Sequence, residues 1–283
     1  QRIQRSWQAR QGHKVLRMIL GDDEISDPTK GAYSRRFVAD LVYDVLLNMR
    51  RDGLVPMSLL GPLLSTREDV TRLAQHVEKL ADAVLITGDI SNSAMLAEHL
   101  RLFAAGCSKP IYFLLGNHDV WCTSFAHAAE IAARVAAKVP HLHYLPRCGP
   151  VEIGSVLLVG VDGFYDARSG DPFDTSVAMN DWYEINDFAG LSRQAIVEFL
   201  QRRGAADAER VHAELLALPH HDRILFATHV PPFPELVTRT KPWYTNLALG
   251  RVLSMFADER PRCSIDVLAG HVHSSRQIVV RGN

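Results

Sequence analysis

No apolar run in the chain approaches the ~20 residues that a membrane-spanning helix requires, and no stretch repeats, keeps a heptad or falls into low complexity. Gln1 to Lys14 is polar and basic and lacks the apolar centre of a secretory leader. Cysteine is scarce. Cys107, Cys122, Cys148 and Cys263 are scattered without a close pair, which fits reduced packing residues rather than a disulfide framework. A cytoplasmic location is the expectation that follows. A surplus of one charge is missing too, with 31 Lys and Arg against 32 Asp and Glu and a net charge of −1. That balance gives no long-range pull on nucleic acid or on an acidic membrane. No basic stripe interleaved with aromatics supports a nuclease.

What the chain does have is enough length and apolar content for a substantial α/β core: 283 residues, 47% hydrophobic and 22% charged. Short apolar runs at Val55 to Leu60, Ala83 to Thr87, Ile111 to Leu115, His143 to Leu145, Val151 to Ile153, Val156 to Val161, Ile224 to Ala227, Ile265 to Leu268 and Arg276 to Val280 predict strands. Between them, helical spacing predicts a helix after the capping box Ser65-x-x-Glu68 and another capped by Ser93. Further helices are expected from Phe125 to Val139, Ser192 to Arg203, Ala205 to Leu218 and Tyr244 to Phe256. Alternation of β and α in the first half, then consecutive strands, suggests a second sheet layered on the first. Ahead of this lie a tail, a short strand at Val15 to Leu20 and a helix at Phe37 to Met49. The expected division is an N-terminal tail and helical extension over 1–54 and one domain over 55–283. Asp162 to Gly190 is long, irregular and rich in Asp, Gly and aromatics, which marks it as a substrate-side insertion.

Four of the predicted strands end in polar residues of metal-binding type. Ala83 to Thr87 runs into Gly88-Asp89, and Ile111 to Leu115 into Gly116-Asn117-His118-Asp119. Ile224 to Ala227 runs into Thr228-His229, and Ile265 to Leu268 into Gly270-His271-Val272-His273. Ligands of open α/β sheets gather at the carboxyl ends of strands. Singly, each cluster reads equally as a turn, a cap or a buried hydrogen-bonded histidine. Together, carboxylate, amide oxygen and imidazole make a donor set suited to Mn²⁺, Fe²⁺ or Zn²⁺ and poor for Ca²⁺. Thiolate is absent from it, which argues against a structural zinc site.

The ordered series Gly-Asp, Gly-Asn-His-Asp, Thr-His, Gly-His-x-His resembles the calcineurin-like metallophosphoesterase family over roughly residues 55–283. The resemblance implies an α/β fold of two packed mixed β-sheets flanked by helices, with two divalent transition-metal ions at the carboxyl strand ends. Asp89 would bridge the ions, with Asn117, His229 and His271 on one of them and His273 on the other. His118 would stand beside the leaving group as general acid, oriented by Asp119. The implied activity is metal-dependent hydrolysis of a phosphate mono- or diester by a metal-activated water, acting on a small phosphorylated substrate.

One family element is not in the chain. Its first motif, Asp-x-His after the first strand, occurs nowhere in these 283 residues. One alignment puts Leu60-Gly61-Pro62-Leu63-Leu64-Ser65 in its place, leaving one metal site without two donors. Another uses Val15 to Leu20 as the first strand and Asp22, Asp23 or Glu24 as substitutes. The second reading of function is therefore a catalytically impaired binding or scaffolding module with one ion or none. Asp162, Tyr165, Asp181, Trp182, Tyr183, Trp243, Tyr244 and Asn246 are further candidates, each open between facing the site and serving as turn or packing residue.

Overall fold

Strands apolar at every position must be covered on both faces, and that requirement sets the architecture. A computed structural model of the chain describes residues 54–57, 67–79, 81–173, 178–219, 221–237, 241–272 and 278. One sheet contains Leu54–Met57 (β1), Ala83–Thr87 (β2), Ile111–Leu114 (β3) and Leu142–Tyr144 (β4), in that order and all parallel. The other contains Val151–Ile153 (β5), Val156–Val161 (β6), Arg223–Thr228 (β7) and Ser264–Ala269 (β8), parallel except for β5 against β6. β2, β3 and β6 are buried at every residue.

Side chains that alternate along these strands go to different layers, as a period of two dictates. Leu85, Tyr112 and Leu114 of the first sheet meet Leu158, Leu225 and Ala227 of the second in one apolar cluster between the sheets. The other face of the first sheet, with Val84, Ile86, Ile111 and Phe113, packs on Arg67–Glu78 (α1), Ser93–Gly106 (α2) and Phe125–Ala136 (α3). A single turn, Leu145–Cys148 (α4), links the sheets. The segment after β6 is less irregular than expected. It contains Asp181–Glu184 (α5) and buries Phe164, Tyr165, Met179, Ile185 and Phe188. Arg193–Ala217 (α6), Lys241–Tyr244 (α7) and Leu247–Glu259 (α8) follow. The outer face of the second sheet packs Leu157, Val159, Ile224 and Phe226 against Val211 and Leu215 of α6 and Leu249 and Leu253 of α8. The layers thus run helix, sheet, sheet, helix. The central clusters account for the stability: truncating a side chain such as Phe113, which is fully buried, to alanine costs ~3–5 kcal/mol.

Several expectations shift at helix ends. The helix expected to break at Gly204 is continuous through it as α6. A β-carbon at Gly204 would lie 2.6 Å from Cβ of Asp166, so the glycine admits a crossing loop rather than ending a helix. Asn92, not Ser93, caps α2, its side chain accepting from the Met95 amide at 3.2 Å. The helix expected from Tyr244 divides into α7 and α8 at Asn246, whose side chain accepts from the Leu249 amide. The expected elements at Val15 to Leu20 and Phe37 to Met49 lie outside the described residues, as do Ser65 and, Ile278 apart, the last strand.

Candidate metal centre

Two of the four strand ends turn through left-handed backbone. Asp89 (φ 56°) follows Gly88 (φ 96°), and His271 (φ 69°) follows Gly270. A left-handed φ costs an L-residue roughly 1–2 kcal/mol, so these residues are held by their surroundings, as is common at functional positions. The turns bring backbone against backbone. A β-carbon on Gly88 would lie 2.6 Å from both the Gly116 nitrogen and His229 Nδ1. One on Gly116 would strike Asp89 and come within 2.7 Å of His229 Cε1. Only glycine allows loops from the two sheets to close on each other here.

The closure gathers Asp89, His229 and His271, all buried, so that one donor atom of each lies within 4.8 Å of the others. Asn117 joins them, with its Oδ1 3.0 Å from His229 Nε2 and 3.0 Å from His271 Nδ1. Asp89 Oδ1 lies 3.4 Å from His229 Nε2 and accepts from the His118 amide at 3.2 Å. Burial alone would lift the Asp89 carboxyl, but the imidazoles of His229, His118 and His271 carry it below its ordinary range.

Proton positions follow from the outer partners. His229 Nδ1 is 2.7 Å from the Thr87 carbonyl and His271 Nε2 is 3.2 Å from the Trp243 carbonyl. A carbonyl only accepts, so each of these nitrogens has the proton and donates it. When the other nitrogen carries no proton, it points a lone pair inward, the arrangement found in metal-binding histidines. Asn117 is fixed in the same way: its Nδ2 donates to Asp181 Oδ1 at 2.9 Å, which leaves only the carbonyl oxygen facing the histidines. Asp89 Oδ1, Asn117 Oδ1, His229 Nε2 and His271 Nδ1 thus face one another, and with both rings neutral they form a set of acceptors open to a shared cation. The chemistry of two oxygens and two imidazole nitrogens fits a divalent transition metal.

Asp119 has a role other than the expected one. Its two oxygens accept from the Ser91 amide and the Gly116 amide, both at 2.7 Å, tying the Gly-Asp loop to the Gly-Asn-His-Asp loop. Its carboxyl is raised well above the ordinary range, first by burial and then by Asp89. The His118 ring, expected to take its orientation from Asp119, is stacked on Trp121 instead, with centroids 3.9 Å apart. Asp162 braces the same loop from behind, accepting from the Leu115 amide at 2.8 Å and from the Tyr144 hydroxyl at 2.5 Å.

The insertion contributes Asp181, which is buried and accepts from Asn117, from Trp121 Nε1 at 2.7 Å and from the Tyr165 hydroxyl at 2.9 Å. Tyr183 points into solvent at 78% exposure, so of the Asp181-Trp182-Tyr183 triplet it has no part in the centre. Trp182 packs edge-on against the buried Trp243. Tyr244 lies over His271, with ring centroids 4.6 Å apart. Asn246 is a buried cap whose amide also donates to the Phe164 carbonyl at 2.7 Å, a structural use. A cavity of about 210 Å³ opens behind the Gly116–His229 contact; Phe125, Phe164 and Arg203 line it, but not Asp89, Asn117 or His271. His273, Leu60 to Ser65 and Asp22 to Glu24 lie outside the described residues. The carbonyls of Thr87 and Trp243 had no sequence signal, because any residue type could supply them.

The calcineurin-like phosphoesterase family matches residues 64–275. The phosphopantetheinyl hydrolase PptH from Mycobacterium tuberculosis is similar in structure, with a TM-score of 0.54 at 14% identity over 74% of this chain and 80% of that one. Protein TT1561 of Thermus thermophilus matches over 74% of this chain and 79% of that one at 15% identity, with a TM-score of 0.39. No curated protein matches the chain. The chain belongs to the calcineurin-like phosphoesterase family, and its two sheets flanked by helices are the fold of that family. Membership supports metal-dependent phosphoester hydrolysis in general, and Asp89, His229 and His271 are a candidate site for the metal. Among the described residues no helix is long and apolar enough to cross a membrane, and all four cysteines are free.

Proposed function

We propose that this protein hydrolyses a phosphate mono- or diester of a small molecule, with Asp89, Asn117, His229 and His271 holding a divalent transition metal such as Mn²⁺. The observation that carries the reading is the inward set of donor atoms, with Asn117 Oδ1 3.0 Å from both imidazoles and Asp89 Oδ1 3.4 Å from His229, and with Asn117, His229 and His271 each held by an outer hydrogen bond. A cation held there supplies Lewis acidity toward a phosphoryl oxygen and lowers the pKa of a water. His118, at the start of the turn after Asn117 and stacked on Trp121, donates a proton to the departing oxygen, a role worth ~10²–10⁴-fold. Asp119 serves that role indirectly, by fixing the loop that bears His118. His273 belongs to the reading as a donor to a second ion, on sequence grounds alone. The near-neutral chain and its free cysteines suit a cytoplasmic enzyme with a small phosphorylated substrate rather than nucleic acid.

A rival reading rests on one observation. β1 pairs in parallel with β2, and the sequence between it and α1, Ser58 to Thr66, contains no Asp, Glu, His or Cys. A second ion would lack its usual donors there, and the fold could serve as a binding module. Assay of p-nitrophenyl phosphate and bis(p-nitrophenyl) phosphate with Mn²⁺, Fe²⁺ or Zn²⁺ separates the two. The enzyme reading expects turnover that Asp89→Asn abolishes; no turnover with any ion, or full activity in Asp89→Asn, would overturn it.

A further inference from the structure

We infer that Asp181, on the insertion between β6 and α6, is a positioning residue that sets the metal-facing orientation of Asn117. The inference rests on the reading of Asn117 as a metal donor and goes beyond it, since α5 belongs to none of the four motif-bearing strand ends. An asparagine amide can present either oxygen or NH₂ to a site, and the two orientations occupy nearly the same volume. With NH₂ inward, Asn117 would repel a cation. Asp181 Oδ1 decides between them by accepting from Asn117 Nδ2 at 2.9 Å.

Asp181 is itself over-determined. Oδ1 also accepts from Trp121 Nε1 at 2.7 Å, and Oδ2 accepts from the Tyr165 hydroxyl at 2.9 Å. The group is only 1% exposed, so water does not substitute for any of these partners. Its neighbour Trp182 packs edge-on against Trp243 with centroids 4.7 Å apart, and the Trp243 carbonyl accepts from His271. The guanidinium of Arg193 lies 5.2 Å from the Trp182 ring and 5.7 Å from the Trp243 ring, joining the same contact. One helical turn therefore braces Asn117 directly and His271 through Trp243. Asp181 also holds the indole on which His118 is stacked, so the metal donor and the proposed acid share a support.

The roles of the three donors predict a specific ranking of substitutions. Trp121 Nε1–H can only donate, so Asp181→Asn must keep its amide oxygen toward Trp121 and Asn117. Its NH₂ then faces the Tyr165 hydroxyl, which can accept. Asp181→Asn should therefore retain the orientation of Asn117, whereas Asp181→Ala leaves it unset. Asp181→Glu keeps the acid but pushes it one methylene toward Asn117.

The test is Co²⁺ titration of the full chain, followed by the visible d–d spectrum and by calorimetry, with folding checked by circular dichroism. The expected result is that Asp181→Ala and Asp181→Glu weaken Co²⁺ binding ~10–100-fold and alter the spectrum, while Asp181→Asn stays within about threefold of the unaltered protein. If Asp181→Ala does not fold, Asp181→Glu decides alone. Unchanged affinity and spectrum in a folded Asp181→Ala or Asp181→Glu would overturn the inference while leaving the metal reading intact, as would Asp181→Asn weakening binding as much as Ala. No Co²⁺ binding by the unaltered protein, or full binding by Asn117→Ala, would overturn the reading of Asn117 and the inference with it.

Discussion

The ends of β2, β3, β7 and β8 differ in chemistry from the sequence that follows β1. The first four bear Asp89, Asn117, His229 and His271, and each of these side chains meets another of the group within hydrogen-bond or ion-pair range. Buried Asp119 and Asp181 and half-buried Asp162 hold the loops between them. After β1 the sequence offers Ser58-Leu59-Leu60-Gly61-Pro62-Leu63-Leu64 and no side chain with a strong metal affinity. The contrast shows that, among the described residues, a cluster of four candidate donors forms without any contribution from β1. A metal held by the four inner donors needs nothing from the first strand, whereas two ions would need donors from elsewhere in the chain.

Breaking the inner half should give the largest effect. Gly116→Ala places a methyl against Asp89 and His229, and we expect loss of both metal binding and turnover. Calorimetric titration with Mn²⁺ checks it, and full affinity would show that the loops can part. Next in size, His118→Ala should lower kcat ~10²–10⁴-fold with metal affinity unchanged. That loss should shrink for substrates with a p-nitrophenolate leaving group, which needs no proton. Equal loss for good and poor leaving groups would remove His118 from the acid role.

Metal itself should stabilise the fold. Saturation at 100 times Kd is worth ~2.7 kcal/mol, read as a rise in Tm that is absent from Asp89→Asn. Lower pH should weaken this rise, because protons compete for the imidazole nitrogens. The smallest effect concerns Asp162, behind the centre. Burial raises its carboxyl first, while Tyr144 and the Leu115 amide pull it back in part. A native value above the unfolded one means the protonated form favours folding. That contribution is fully present below the unfolded carboxylate range and is lost as pH rises through the raised native value. Asp162→Asn should therefore show a shallower fall in stability across that window, measured by urea unfolding at a series of pH values. An unchanged slope would contradict the assignment.

Much of this was legible in the sequence, because the strong signals are local. Ala83 to Thr87, Val151 to Ile153 and Val156 to Val161 are strands with those bounds in the structure, since unbroken or alternating apolar runs report burial directly. The clustering of Asp89, His229 and His271 agrees with the order of the motifs. What could not be read depends on contacts distant in sequence. Gly204 has the look of a helix stop, but its missing β-carbon makes room for Asp166, far back in the chain. For the same reason Gly204→Ala should destabilise, although alanine is the better helix former by ~1 kcal/mol. Asp119 looks like a partner for His118 because it is adjacent, yet its oxygens reach the Ser91 and Gly116 amides. Asp181 stands 64 positions from Asn117, and no periodicity reports such a pair.

The metal content of the protein, purified without chelator and measured by elemental analysis, tests the central claim most directly. At least one transition-metal ion per chain is expected, lost when Asp89 is replaced by Asn. Metal-free protein that takes up no Mn²⁺, Fe²⁺ or Zn²⁺ on addition would contradict it.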